Sequence, residues 1–273
     1  MTDLTIAPSR PFGITVVIPT FNRLQTLIRA IDSVLTSHAK SVEIIVVDDG
    51  SAQDPRQFLP ERNGSGVTIR CFRFDCNRGP QAARNLGIRR AKFSYIAFLD
   101  SDDAFTPEKI DLALAALSKN SIDILFHAVA GMPKYGRFAR LWSVYLRKVI
   151  LFHWWIALYN PVATPALIVK RRVRLGLPRM RHCEDWFFLL RYTESGMCVE
   201  YLDIELSTVF RTPGTTGGLS SAAWHMRKGE FFARAVLLKS LTITNLIRYV
   251  IGGSVGLVRI LNDLLCGRYK RPS

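Results

Sequence analysis

The chain has few of the features that mark stapled, zinc-bound or membrane-threaded proteins. Its five cysteines (Cys71, Cys76, Cys183, Cys198 and Cys266) are scattered and odd in number. None has the Cys-x-x-Cys spacing of a zinc site, and nothing suggests a disulfide framework. Buried or partly buried thiols in a reducing compartment are expected. Long apolar runs are also missing. The longest uncharged stretch, 149–169, contains Asn160-Pro161 and Pro165, which break a helix at its middle. Residues 1–10 are polar, so no secretory signal is expected. There is no internal repeat and no low-complexity tract. The chain should be soluble or peripheral, and at work in the cytoplasm.

Negative charge is scarce as well. Against 22 Asp and Glu stand 37 Lys and Arg, a formal net charge of +15. Such a molecule is drawn to anions. Nucleic acid, anionic lipid and nucleotide diphosphates all qualify, so charge alone does not choose. With 48% hydrophobic and 22% charged residues over 273 positions, the composition is globular and sufficient for a substantial core.

The first half alternates strand and helix signals. Apolar runs at 14–18, 42–47, 67–74, 94–99 and 122–129 read as strands, and a further strand is expected within 160–169. Between them, Leu24, Leu27, Ile31, Val34 and Leu35 fall at helical spacing, as do residues 81–91. Thr106-Pro107-Glu108 reads as a helix start with Thr at the cap. This alternation predicts a largely parallel sheet covered on both faces. Ligands bind such sheets beyond the carboxyl ends of the strands, where the acidic clusters sit. The second half is less regular. Residues 140–159 are rich in Trp and Tyr, 212–218 is a loop, and a helix opens at Glu184. A helical pattern over 231–265 should bend or break near Gly252-Gly253.

Asp100-Ser101-Asp102 places two carboxylates on one side of an extended segment, with Asp103 facing elsewhere. Close carboxylates repel unless a cation lies between them or one keeps its proton. Magnesium and manganese suit such oxygen ligands, with phosphates completing the shell. A solvated acidic turn has the same pattern. Asp48-Asp49-Gly50-Ser51 ends an earlier strand and can accept from a base or ribose; it is equally an ordinary turn. Arg78 and Arg84 lie before and within a helix whose start favours anions. Glu184-Asp185 abuts Trp186-Phe187-Phe188, and apolar surroundings raise a carboxylate's proton affinity as a general base requires.

Together these segments resemble family 2 of the inverting glycosyltransferases, with its GT-A fold. The matching residues are Val17-Ile18-Pro19-Thr20-Phe21-Asn22-Arg23, Val47-Asp48-Asp49-Gly50-Ser51, Asn77-Arg78-Gly79 and Ala83-Arg84-Asn85-x-Gly87. Phe98-Leu99-Asp100-Ser101-Asp102-Asp103 and Glu184-Asp185-Trp186 complete them, in the family's order and approximate spacing. The resemblance runs over 13–130 and again over 160–220. It implies that Pro19 and Asp49 border the nucleotide base, and that Arg84 and Asn85 lie beside the nucleotide. It also implies that Asp100 contacts the ribose or base side, Asp102 ligates a divalent metal (Mn2+ or Mg2+), and Asp185 is the catalytic base. Leu175-Gly-Leu-Pro-Arg179 replaces the family's frequent Gly-Gly-Phe-Asp, and Thr212-Pro213-Gly214 follows Arg211 where a histidine is common. His225 is a distant substitute. No Gln-x-x-Arg-Trp motif is present, which favours single sugar transfer.

The expectation is a GT-A catalytic domain over 1–225, with a nucleotide-sugar half (1–130) and an acceptor half (131–225). A basic, amphipathic helical extension follows over 226–273. The donor would be a nucleotide-diphosphate sugar, such as a UDP-sugar, and the acceptor a saccharide or lipid-linked saccharide of surface-polysaccharide or exopolysaccharide assembly. An anionic membrane surface would be a partner, with the protein peripheral at the inner face of the cell membrane. In the extension, Asn245, Arg248, Gly252, Arg259 and Asn262 share one helical face, and Leu246, Val250, Leu257, Leu261 and Leu264 lie away from it. The tail thus fits surface docking, packing onto the catalytic domain, or a partner subunit. Two other classes compete: a basic nucleic-acid-binding protein, for which no signature is present, and an inactive GT-A scaffold.

Overall fold

The computed structural model describes residues 10–60, 67–119, 121–130, 154, 156–158, 160, 162–171, 180, 182–193, 197–211, 223–240 and 242–265. Most of the aromatic stretch 140–159, the loop at 212–218, the segment 175–179 and the basic residues after 265 lie outside them.

β1 (Ile14–Thr20) and β2 (Val42–Asp48) are buried at every position, as continuous apolar runs require when both faces of a sheet are covered. Alternation divides each strand between two cores. Ile14, Val16 and Ile18 of β1 face the same side as Leu27, Ala30 and Ile31 of α1 (Leu24–Leu35), and Val17 faces the other. On that other side α2 (Pro80–Arg90) lies against the sheet at Gly87, where any Cβ would run into Val17. The chain continues through β3 (Thr68–Arg73), β4 (Tyr95–Phe98), β5 (Ala104–Phe105), α3 (Lys109–Lys119), β6 (Ile124–Ala130) and β7 (Ile168–Lys170). It ends with α4 (Glu184–Thr193), β8 (Val199–Thr208), α5 (Ala223–Arg234) and α6 (Ile243–Leu265).

The sheet order is β3-β2-β1-β4-β7-β6-β8-β5. β7 pairs antiparallel with both β4 and β6, and β8 runs parallel to β6. β1–β4, β6 and β8 therefore share one direction, and only β5 and β7 oppose it, so the sheet is mostly parallel as expected. β5 and β8 are elements the sequence reading missed. The last strand carries three exposed positions, 203–205, and slips register against β6 around Ala128, which blurs its period of two.

Two local expectations are corrected. The hydroxyl of Thr106 makes no cap: it is buried without a hydrogen-bond partner, and α3 begins at Lys109, whose N–H donates to the Thr106 carbonyl (3.1 Å). α6 does not break at Gly252-Gly253 but runs unbroken for 23 residues. Gly252 faces the protein, where a Cβ would meet the Ala157 carbonyl and Arg234, and Gly256 faces Arg234 and Phe231. These glycines permit close approach of the helix; they do not bend it. Position 226 lies within α5, whose Ala233, followed by Val236 and Leu237, joins Trp186 and Phe188 in one core.

A polar cluster is sealed under β8. Lys109 is fully buried; its ammonium donates to the Pro165 carbonyl (2.5 Å) and Ser207 Oγ (3.1 Å) and lies 3.2 Å from the Phe105 ring centroid. His127 lies within reach of Ser207 (3.5 Å) and the Ala128 carbonyl (2.7 Å). Burial, then the Lys109 charge, hold the His127 pKa well below 6.5. The unfolded chain takes up a proton near pH 6.5 that the folded chain refuses, so stability should fall as pH drops below that value. His127→Gln is expected to flatten this slope in urea unfolding between about pH 6.5 and 5. An unchanged slope would assign the acid sensitivity elsewhere.

Candidate active site

The carboxyl ends of β1, β2 and β4 open on one edge of the sheet. β1 ends in Pro19-Thr20, past its last pair with β4 at Val17, so the missing N–H of Pro19 spoils no β1–β4 pair there. Asn22 follows in a left-handed conformation (φ 52°). Its backbone N–H donates to Ser51 Oγ (2.8 Å), and its side chain accepts from the Ala52 N–H (2.9 Å). The β1 and β2 ends are thereby clamped together. Asp48 is buried, accepts from the Ser51 N–H and hydroxyl, and pairs with Arg73 at 3.4 Å. It holds the turn. Asp49 receives the N–H of Arg78 on one oxygen (2.7 Å) and that of Gly79 on the other (2.8 Å). It pins the start of α2 beneath the site.

Arg84 joins the two halves. Its buried guanidinium donates to Asp100 Oδ1 at the end of β4 (2.5 Å) and to Glu184 Oε1 at the start of α4 (2.7 Å). Asn85 stands next to it on α2, half-buried. Burial works against the charge of Arg84, but Asp100 and Glu184 outweigh it and the proton is held more firmly than usual. Burial pushes Glu184 up to about 7 against the pull of Arg84. Asp185 accepts from Asn160 Nδ2 (3.2 Å) and the Trp186 N–H (2.8 Å), and burial raises its pKa, with Asp100 adding to the rise. A carboxylate so placed is a better proton acceptor at neutral pH than a solvated one.

The third group is Asp102, which pairs with Arg23 at 2.6 Å, while its carbonyl accepts from Arg29 (2.8 Å). Arg29 in turn stacks on Phe210, 3.9 Å from the ring centroid, beyond the end of β8. Asp103 is buried, and burial followed by the charges of Asp100 and Asp102 pushes its pKa to about 8. The described residues hold no cluster of three or more His, Cys, Asp or Glu able to cage a metal. A magnesium or manganese ion needs no such cage when one carboxylate and substrate phosphates supply its oxygens. Asp102 fits that donor set, and here its carboxylate is paired with Arg23.

The structure thus brings Asp100, Arg84, Glu184 and Asp185 together through direct contacts and reach of charge. Asp49 and Asp102 follow the carboxyl ends of β2 and β4, the two strands that flank β1. His225 lies with its ring 5.6 Å from that of His182, three residues before Asp185, a contact that a structural histidine makes. Sequence reasoning missed Asn160, read only as a helix breaker, and Arg29 with Phe210. No local pattern marks them, because each is assigned by a contact across 25 to 181 positions of chain.

A family model described as "Glycosyl transferase family 2" matches residues 15–170, more than half of the chain. An uncharacterized glycosyltransferase of Rickettsia felis is 44% identical over 108 residues, 40% of this chain and 18% of its own length. The succinoglycan biosynthesis protein ExoO of Rhizobium meliloti is 34% identical over 122 residues, 41% of this chain and 34% of the relative. The chain therefore spans well under half of these curated relatives. Among solved structures, S. aureus TarS 1-349 in complex with UDP-GlcNAc superposes with a TM-score of 0.64 at 18% identity, over 84% of this chain and 67% of that one. The mannosyltransferase PcManGT of Pyrobaculum calidifontis, in complex with GDP-Man and Mn2+, gives 0.63 at 14% identity, over 98% and 85%. The fold is that of the GT-A glycosyltransferases. On the strength of the family match, the chain belongs to glycosyl transferase family 2.

Proposed function

We propose that the chain moves a sugar from a nucleotide-diphosphate sugar onto an acceptor hydroxyl with inversion, Asp185 acting as base. The observation that carries this reading is the Arg84 fork, which ties Asp100 on the nucleotide side to Glu184, the neighbour of Asp185. Asp185 takes the proton of the acceptor hydroxyl as that oxygen attacks the anomeric carbon. The nucleotide diphosphate leaves from the opposite face, and a single displacement inverts the centre. Asn160 and the Trp186 N–H hold the Asp185 carboxylate in one orientation. Pro19, Asp49 and Asn85 would border the nucleotide, and Asp102 would hold a divalent cation. Such a cation, when bound, spreads the negative charge that grows on the departing diphosphate. The complexes of TarS with UDP-GlcNAc and of PcManGT with GDP-Man and Mn2+ support a nucleotide-sugar donor and a metal. The succinoglycan relative supports a role in polysaccharide biosynthesis; the acceptor in this reading is a lipid-linked saccharide at the cytoplasmic face of the membrane.

The test is diphosphate release from a panel of nucleotide sugars, with Mn2+, Mg2+ or chelator. Asp102→Ala is expected to lower release at least about tenfold, and to weaken its dependence on added metal, while the melting temperature stays close to that of the parent. Equal metal dependence in parent and variant would remove Asp102 from the ligand role.

A further inference from the structure

α6 has its amphipathic character turned inside out. Asn245, Arg248, Gly252, Gly256 and Asp263 are buried against the protein. Asp263 accepts from Arg227 Nε (2.8 Å), Glu230 pairs with Arg259 (3.2 Å), and Arg248 donates to Asn245 (2.7 Å). The polar row is a seam holding the helix to α5. The apolar row faces outward. Of nineteen large hydrophobic side chains exposed among the described residues, eleven belong to α6, with Ile243 at 79%, Val258 at 65% and Leu265 at 88% exposure. The row follows the full helix, about 35 Å at 1.5 Å per residue. α5 adds exposed Trp224 and Phe232, with the Lys228 ammonium 5.9 Å from the Phe232 ring.

We infer that α6 is an in-plane membrane anchor, its outward row seated at the headgroup–acyl boundary of an anionic bilayer. Continuous apolar patches of this length on a soluble surface mark an interaction site. Charge selects the occupant. A second copy on this face would bring two molecules of net charge +15 together, whereas anionic headgroups complement that charge. The seam selects the orientation. To cross the bilayer, α6 would have to tear Arg259 and Asp263 from Glu230 and Arg227 of α5 and place them in hydrocarbon; lying in the plane it keeps them. The anchor stands on these contacts alone. Its use, to bring a lipid-borne acceptor hydroxyl toward Asp185, rests on the transfer reading above.

The experiment is co-sedimentation of the full chain with phosphatidylcholine vesicles, with and without phosphatidylglycerol, beside diphosphate release from a nucleotide sugar in lipid-free buffer. Binding should require phosphatidylglycerol and be released by alkaline carbonate. The pair Leu257→Glu and Val258→Glu, both outward-facing, should weaken it about tenfold or more, with lipid-free release and the melting temperature unchanged. Three results would overturn the anchor: equal binding to neutral vesicles, retention after carbonate, or no vesicle binding together with a dimer in sedimentation that the paired substitution dissolves. Loss of the transfer reading would show separately, as absent diphosphate release whatever the lipid.

Discussion

Asp185→Asn is expected to cut turnover about 100- to 10,000-fold while the protein folds and binds its donor as before. The substitution keeps the shape of the side chain. An amide oxygen can still accept from Asn160 or the Trp186 N–H, so the local scaffold survives. What disappears is the basic oxygen that takes the acceptor proton. The pH profile supplies a second readout. Burial raises the Asp185 pKa, so the acid limb of the wild-type rate should lie above the ordinary carboxylate range: activity is lost as pH falls through the raised value and the group protonates. In the variant that limb should vanish. Diphosphate release across pH, with donor affinity from calorimetry, checks both. Parental turnover in Asp185→Asn would give the base role to another residue.

Arg84→Met should be the most damaging single change to the architecture of the site. The guanidinium is buried and serves two carboxylates at once, Asp100 and Glu184. Removing one partner of a buried ion pair leaves uncompensated charge, which costs about 3–5 kcal/mol. Glu184, already pushed up to about 7 by burial, would take a proton; Asp100, more exposed, would turn to solvent. Urea unfolding should register the loss, and turnover should fall with it, because the start of α4 carries Asp185. Adding Glu184→Gln and Asp100→Asn to Arg84→Met should restore part of the stability without restoring turnover. A variant within about 0.5 kcal/mol of the parent would show that the fork contributes little.

Much of the first half of the chain was legible from sequence because its information is local. Buried parallel strands advertise themselves as apolar runs, and the residues beyond their carboxyl ends, Asp49, Asp100 and Asp102, follow within one to four positions. Gly87 was readable only as part of a motif; its reason is a contact with Val17, seventy residues away. The second half of the chain is written in long-range contacts. β8 interrupts its alternation with a register slip, and Asn160 has no periodic neighbours to announce it. For α6 the pattern was right and left three placements open. Sorting polar from apolar positions separates two faces, but which face turns inward depends on partners. Here Arg227, Glu230 and Arg234 wait on the protein side.

The link between Asp49 and the start of α2 has a wider consequence. A helix beginning near a sheet edge is the berth that many nucleotide-binding folds give to a phosphate. In this chain the berth already holds a resident anion: both oxygens of Asp49 are engaged by the Arg78 and Gly79 amides, and Pro80 brings no N–H of its own. An incoming diphosphate would find these two amides taken, and its charge would be met elsewhere, by side chains or by an ion. The anion site at this helix start is therefore filled from within the chain, before any ligand arrives.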